Sequence, residues 1–310
     1  SENGRSDKTK FLEVEVGINI SIRKVREQVG FEQGKTSPCI FHHPERDIQV
    51  VVHGDDFMSS GSRAAASWFL SVLPARFSIK SFVIGPDPKA GEVTEGRILG
   101  RVVRITPQGW QYEADQRHAD ILIQELNLSG ANGVKSPGAE PRPWEVEENG
   151  ESLHGREATT YRALAARANY LALDRADIQF AAKEACRGMS APTVGNMRQL
   201  RRLARYLVAV PRVVWQFNWQ APAVSFAAFS DSDWAGCRRT ARSTSGGALM
   251  CGSHCLRTYS VTQKFVTLSS GEAELMALVR ATSEAIGLAQ LGAGWGMSLT
   301  ATVFVDSSAA

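Results

Sequence analysis

Two short apolar runs, each closing on an aspartate, constrain this chain of 310 residues more than any other feature. Phe226-Ala227-Ala228-Phe229 leads into Asp231, and Val303-Phe304-Val305 leads into Asp306. Such runs read as β-strands. If the two strands are neighbours, their ends set two carboxylates side by side. A helix expected from about Ser270 carries Glu274 between them in sequence. The region reads as strands over 224–230, 245–251 and 256–262, the helix, a glycine-rich loop from Gly292 to Gly296, and a strand over 301–305. That order makes an α/β layer.

Three acids that meet in this way repel one another, by roughly 4 kcal/mol per pair at about 4 Å and an effective dielectric near 20. A divalent cation relieves the repulsion, and carboxylate oxygens suit Mg²⁺ or Mn²⁺. Two such ions about 3.5–4 Å apart can activate a water and stabilise a leaving oxygen in phosphodiester cleavage. Spacing alone leaves other readings open. Asp306 can cap a helix starting at Ser307, and Asp231 or Asp233 can be turn residues. Ser269-Ser270-Gly271-Glu272 fits a capping box, which occupies Glu272 and leaves Glu274 free. Leu275, Leu278, Val279 and Thr282 are then expected to form the buried face beside Glu274.

A second acidic pair lies upstream. The valine-rich run Ile48-Gln49-Val50-Val51-Val52, then His53-Gly54 and Asp55-Asp56, reads as a hairpin with two carboxylates at its tip. Gly and Asp are also common in ordinary surface turns. Helices are expected over 64–73, ended by Pro74, and over 116–126, with a β-rich run over 97–105 and a turn at Pro107-Gln108-Gly109. A linker rich in proline and acid, 136–155, holds Glu145, Glu147, Glu148 and Glu151. Helices over 157–173, 176–186 and 194–208 follow. In the last, Leu200, Leu203 and Leu207 share one face. Arg198, Arg201, Arg202 and Arg205 share the other, as a solvated surface or as a ridge for phosphates.

Composition narrows the classes. The net charge is +3, which permits a nucleic-acid partner without demanding one. No apolar run approaches the ~20 residues of a membrane helix, and the polar start, Ser1 to Lys10, is not a signal peptide. Five scattered cysteines argue against a disulfide framework and for a reducing compartment. Cys251, His254 and Cys255 lack the second ligand pair of a structural zinc site and read as packing residues.

In order along the chain, these blocks resemble the Pol polyprotein of copia-type LTR retrotransposons. Gly30-Phe31, Ser37-Pro38-Cys39-Ile40-Phe41 and Val52-His53-Gly54-Asp55-Asp56-Phe57 look like the approach to a polymerase double-aspartate hairpin and the hairpin itself. Ile98-Leu99-Gly100 and Val134-Lys135-Ser136-Pro137 resemble later polymerase landmarks. Tyr161-Arg162-Ala163-Leu164, Tyr170-Leu171-Ala172, Arg175-Ala176-Asp177-Ile178 and Arg205-Tyr206-Leu207 resemble the helical region between polymerase and nuclease. The most specific blocks are Ser230-Asp231-Ser232-Asp233-Trp234-Ala235-Gly236-Cys237, Arg242-Ser243-Thr244-Ser245-Gly246, Leu268-Ser269-Ser270-Gly271-Glu272-Ala273-Glu274-Leu275 and Phe304-Val305-Asp306-Ser307-Ser308-Ala309. These are similar to the family's ribonuclease H. The hairpin departs from the family pattern at His53, where an aromatic residue is usual, and at Gly54. Nothing before Gly30 resembles the strand that carries the polymerase's other metal-binding aspartate.

The resemblance implies a mixed α/β (α+β) chain. A partial polymerase palm over 1–137 is followed by a linker and helical connection over 138–222. A C-terminally truncated ribonuclease H-like mixed sheet occupies 223–310. It implies catalytic, metal-binding carboxylates at Asp231, Glu274 and Asp306, polymerase metal-site residues at Asp55 and Asp56, and Mg²⁺ or Mn²⁺ as cofactor. The expected partners are RNA/DNA hybrid, template-primer and other Pol or Gag segments, without a membrane. The expected setting is intracellular, in cytoplasmic particles with nuclear access. Both ends are expected to be cut from a longer polyprotein that synthesises DNA on RNA and cleaves the RNA of hybrids. The 310 residues alone are expected to lack polymerase activity and to be inactive or weak as a nuclease. The alternative is a degenerate, inactive element retained as a nucleic-acid-binding module.

Overall fold

Alternation of apolar and polar residues along the strands sorts the chain into three sheets and a helical cluster, a mixed α/β architecture. The computed structural model describes residues 10–16, 29–54, 56–73, 79–139, 150–237 and 239–306. Asp55, Ser307, Ser308 and the linker acids Glu145, Glu147 and Glu148 therefore lie outside the described residues. Among the described residues, no helix is long and apolar enough to cross a membrane.

The first sheet holds β1 (Lys10–Val16), β2 (Glu32–Gln33), β3 (Ile40–His43), β4 (Ile48–His53), β5 (Asp56–Gly61) and β6 (Ile79–Ile84), in the order β2-β3-β4-β5-β1-β6. Ile48, Val50 and Val52 point inward from alternate positions of β4, and meet Phe31, Phe57 and Phe69. Phe69 lies on α1 (Arg63–Val72), whose start is capped by Ser62 Oγ accepting from the Ala65 N–H. β1 was not expected from the sequence. It inserts antiparallel between β5 and β6.

The second sheet holds β7 (Glu95–Ile98), β8 (Arg101–Thr106) and β9 (Gly109–Glu113), with β10 (Val214–Asn218) joining β9 from far along the chain. The expected β-rich run over 97–105 is thus broken into two strands. Between β9 and β10 the chain forms α2 (Arg117–Glu125), α3 (Gly155–Leu171), α4 (Gln179–Arg187) and α5 (Val194–Ala209). Leu200, Leu203 and Leu207 are buried with Tyr161, Leu164 and Ile178. The arginine face of α5 is neither wholly solvated nor a free ridge. Arg202 Nη2 donates to Ser136 Oγ at 2.9 Å, and Arg205 Nε donates to the Asn132 carbonyl at 2.8 Å, tying segment 132–136 to the helix.

The third sheet holds β11 (Ser225–Ser232), β12 (Thr244–Cys251), β13 (His254–Thr262) and β14 (Thr300–Val305), ordered β13-β12-β11-β14. β11, β12 and β13 pair antiparallel, and β14 lies parallel to β11. A parallel pair needs a crossover, and α6 (Ser270–Gly294) supplies it. The expected glycine-rich loop starts later than read: the helix continues through Gly292, which is buried, and ends at Gly294.

The buried face of α6 also differs from expectation. Ala273, Glu274, Ala277, Ala281 and Ala285 face the sheet, whereas Leu275 and Val279 are exposed and Leu278 and Thr282 half-buried. At about 100° per residue, Leu275 and Val279 lie roughly 100° and 140° round the helix from Glu274. Once Glu274 points at the strand ends they cannot. The alanines let the helix axis approach the sheet over Phe226, Ala228 and Leu249.

Candidate metal centre

The parallel register of β11 and β14 sets Ser230 opposite Val305, so the next residue on each strand is an aspartate. α6, just past its first turn, supplies the third acid, Glu274. Asp231, Glu274 and Asp306 each offer a carboxylate oxygen, and these oxygens all lie within 4.8 Å of one another. Asp231 and Asp306 are exposed, while Glu274 is buried. Among the described residues this is the one group of three or more His, Cys, Asp or Glu close enough to hold a metal ion.

Local structure aims each acid. Ser269 Oγ accepts from the Glu272 N–H at 3.1 Å and opens α6. The Glu272 carboxylate accepts from the Leu268 N–H at 2.7 Å, one residue before the N-cap whose N–H a regular capping box would engage. Either way Glu272 is occupied and Glu274, one half-turn on, faces the strand ends. Asp233 is a turn residue: its Oδ1 accepts from the Thr244 N–H, locking the loop after β11 to the start of β12.

The donor set fits a hard divalent cation. All three contributing groups are carboxylates, and one Glu274 oxygen, Oε2, is buried without a protein partner. A buried carboxylate oxygen left unpaired is costly, and a cation bound there removes that cost. The other oxygen, Oε1, accepts from both the backbone N–H and the hydroxyl of Ser232, at 3.2 and 2.8 Å.

Of the upstream carboxylates, Asp56 is not part of this group. Asp56 opens β5 in the first sheet, opposite His53 across the hairpin, and Gly54 takes the left-handed conformation its turn needs, with φ 63°. Asp55 lies outside the described residues. Cys251, His254 and Cys255 do not form a ligand set. Both ring nitrogens of His254 are engaged, Nε2 with the Asn218 carbonyl at 2.7 Å and Nδ1 with Gln220 at 3.2 Å.

The elements around the centre are braced by α4. Lys183 Nζ donates to Thr244 Oγ1 at 2.8 Å, Gln179 Nε2 donates to the Thr258 carbonyl at 3.1 Å, and Arg187 donates to Cys237 Sγ and Thr240 Oγ1. Burial raises the Cys237 thiol pKa, but hydrogen bonds from Thr240 and Arg187 outweigh it and bring the value down to about 7. Sequence reasoning missed Ser232 and Gln263. Ser232 stood beside a chosen aspartate but carried no signal of its own, and Gln263 lies in no motif block.

No protein-family model matches the chain. It is 28% identical over 284 residues to the retrovirus-related Pol polyprotein from transposon RE1 of Arabidopsis thaliana, covering 91% of this chain and 18% of that protein. It is 28% identical over 268 residues to the corresponding polyprotein from transposon RE2, covering 86% of this chain and 17% of that one. The chain thus spans less than a fifth of either polyprotein. Over 99 residues it is 37% identical to the secreted RxLR effector protein 161 of Plasmopara viticola, covering 32% of this chain and 69% of that protein. Among solved structures, a foamy viral protease-reverse transcriptase in complex with dsDNA superposes with a TM-score of 0.49 at 13% identity, covering 83% of this chain and 47% of that one.

Proposed function

We propose that this chain, which belongs to the retrovirus-related Pol polyproteins of transposons, carries in residues 225–306 the metal centre of a nuclease that cuts the RNA strand of RNA/DNA hybrids. The observation that carries the reading is the convergence of Asp231, Glu274 and Asp306, with Glu274 Oε2 buried and unpaired. The three carboxylates would hold Mg²⁺ or Mn²⁺, which when bound supplies an activated water and neutralises charge on the leaving oxygen.

The protein groups divide the remaining work. Asp231 and Asp306, at the open ends of parallel strands, present oxygens on the side from which a phosphodiester can approach. Glu274 closes the centre from beneath, fixed by Ser232. Selection of the hybrid would rest on backbone shape and the 2′-hydroxyl rather than on base sequence. Asp55 and Asp56 would belong to the parent's polymerase centre. Primer extension is not expected of these 310 residues, because nothing before Gly30 resembles the strand bearing the polymerase's other metal-binding aspartate.

The test pairs Mn²⁺ titration, followed by electron paramagnetic resonance, with cleavage of a labelled RNA strand annealed to DNA. Saturable Mn²⁺ binding by the chain is expected, with at most weak Mn²⁺-dependent cutting, both lost in Asp231→Asn. Binding and cutting that survive the substitution would overturn the assignment. Hybrid binding that weakens with salt, without Mn²⁺ binding or cutting, would replace it with the binding-module reading.

A further inference from the structure

Resting on the metal-centre reading, we propose that Ser232 and Gln263 are positioning residues that present Glu274 to the cation with one carboxylate oxygen committed and the other free. The Glu274 carboxylate can rotate about its terminal torsion, which has broad minima, so a bare strand-and-helix scaffold does not fix which oxygen faces the other acids. Ser232 removes that freedom. Its backbone N–H and its hydroxyl both donate to Oε1, at 3.2 and 2.8 Å. Oε2 is left buried with no protein partner. Committing one oxygen in this way leaves the other as the ligand atom.

Gln263 fixes the other end of the same lever. It is buried just past β13, and its amide Nε2 donates to the Ala273 carbonyl at 2.9 Å and to Ser245 Oγ at 3.0 Å. Its own N–H donates to the Ser243 carbonyl at 2.8 Å. One side chain therefore joins β12, the end of β13 and the peptide immediately before Glu274. Ala273 is fully buried, so the first turn of α6 has little room to drift when this bond is intact. Together the two residues set the height of the helix turn and the direction of the carboxylate. Groups that orient a metal ligand in this manner typically change affinity or activity by about 10–100-fold when removed.

The experiment measures Mn²⁺ affinity of the full 310-residue chain by electron paramagnetic resonance, beside urea unfolding in EDTA. Ser232→Ala is expected to raise the Mn²⁺ Kd about 10-fold with an unchanged unfolding midpoint, and Ser232→Thr to restore it to within about twofold. Gln263→Leu, which keeps the volume and removes the donor, is expected to raise the Kd in the same direction. A Kd within about twofold of the parent in both Ser232→Ala and Gln263→Leu overturns the proposal, provided Asp231→Asn loses Mn²⁺. Retention of Mn²⁺ by Asp231→Asn as well overturns the metal centre itself.

Discussion

Asp231→Asn should make the metal-free chain more stable, because it deletes one member of a crowded trio of carboxylates. The oxygens of Asp231, Glu274 and Asp306 lie within 4.8 Å of one another. At that distance each pair repels by about 0.9 kcal/mol in a medium like bulk water and by about 3.5 kcal/mol at an effective dielectric near 20. Asp231 and Asp306 are exposed, so water screens them and the lower figure governs. The substitution removes two pairs, which gives about 1–2 kcal/mol of added stability in EDTA at low salt. Mn²⁺ should reverse the order. At 100 times its Kd the ion adds about 2.7 kcal/mol to a chain that binds it only when folded, and nothing to one that does not bind. Urea unfolding in EDTA and again in Mn²⁺, for both proteins, reads the two effects. A less stable Asn variant in EDTA would refute the repulsion. Equal stabilisation of both proteins by Mn²⁺ would refute the ligand role of Asp231.

Arg175 is fully buried, pairs with Asp177 through two nitrogens, and donates to the carbonyls of Val210 and Pro211. Arg175→Met should cost about 3–5 kcal/mol, and a loss below about 1 kcal/mol in urea unfolding would show the pair to be dispensable. Arg212, with Arg104, holds the Glu113 carboxyl at about 2, against burial, which raises it. That stability is complete above the ordinary carboxylate pKa and is lost as pH falls through about 2, and solvent around the exposed Arg212 screens it. Glu113→Gln should flatten the decline in urea midpoint between about pH 4.5 and 2, and an unchanged acid limb counts against the reading. Cys237 should alkylate with a pH midpoint near 7, ahead of Cys251 and Cys255, whose burial pushes their thiols up. Arg187→Met should move the Cys237 midpoint upward, and an unmoved midpoint would remove Arg187 from the cause.

Periodicity and punctuation made several local features legible. A valine-rich run broken by Gly and Asp predicted β4, the spacing of Leu200, Leu203 and Leu207 predicted the buried face of α5, and Pro107-Gln108-Gly109 predicted the turn between β8 and β9. The same reasoning mislaid the buried face of α6. It counted leucine and valine as core, whereas the helix buries alanines beside Glu274. Branched side chains attract a hydrophobic reading, but close approach of a helix to a sheet favours small ones, and nothing local announces that approach. Gly109 shows the same limit. Its φ of 149° suits a turn glycine, yet the Phe217 carbonyl oxygen lies 2.0 Å from where a Cβ would stand, a constraint imposed by a strand about a hundred residues away.

The sequence by itself determined which residues carry charge, which runs extend or coil, and that Asp231 and Asp306 each end an apolar strand. These are properties of neighbours along the chain. Only the tertiary structure decided that β14 lies parallel beside β11, that α6 turns Glu274 and not Leu275 toward their ends, and that Ser232 and Gln263 hold it there. Those decisions depend on packing between segments tens of residues apart. Asp231 becomes a candidate ligand here because packing brings Glu274 and Asp306 within 4.8 Å of it.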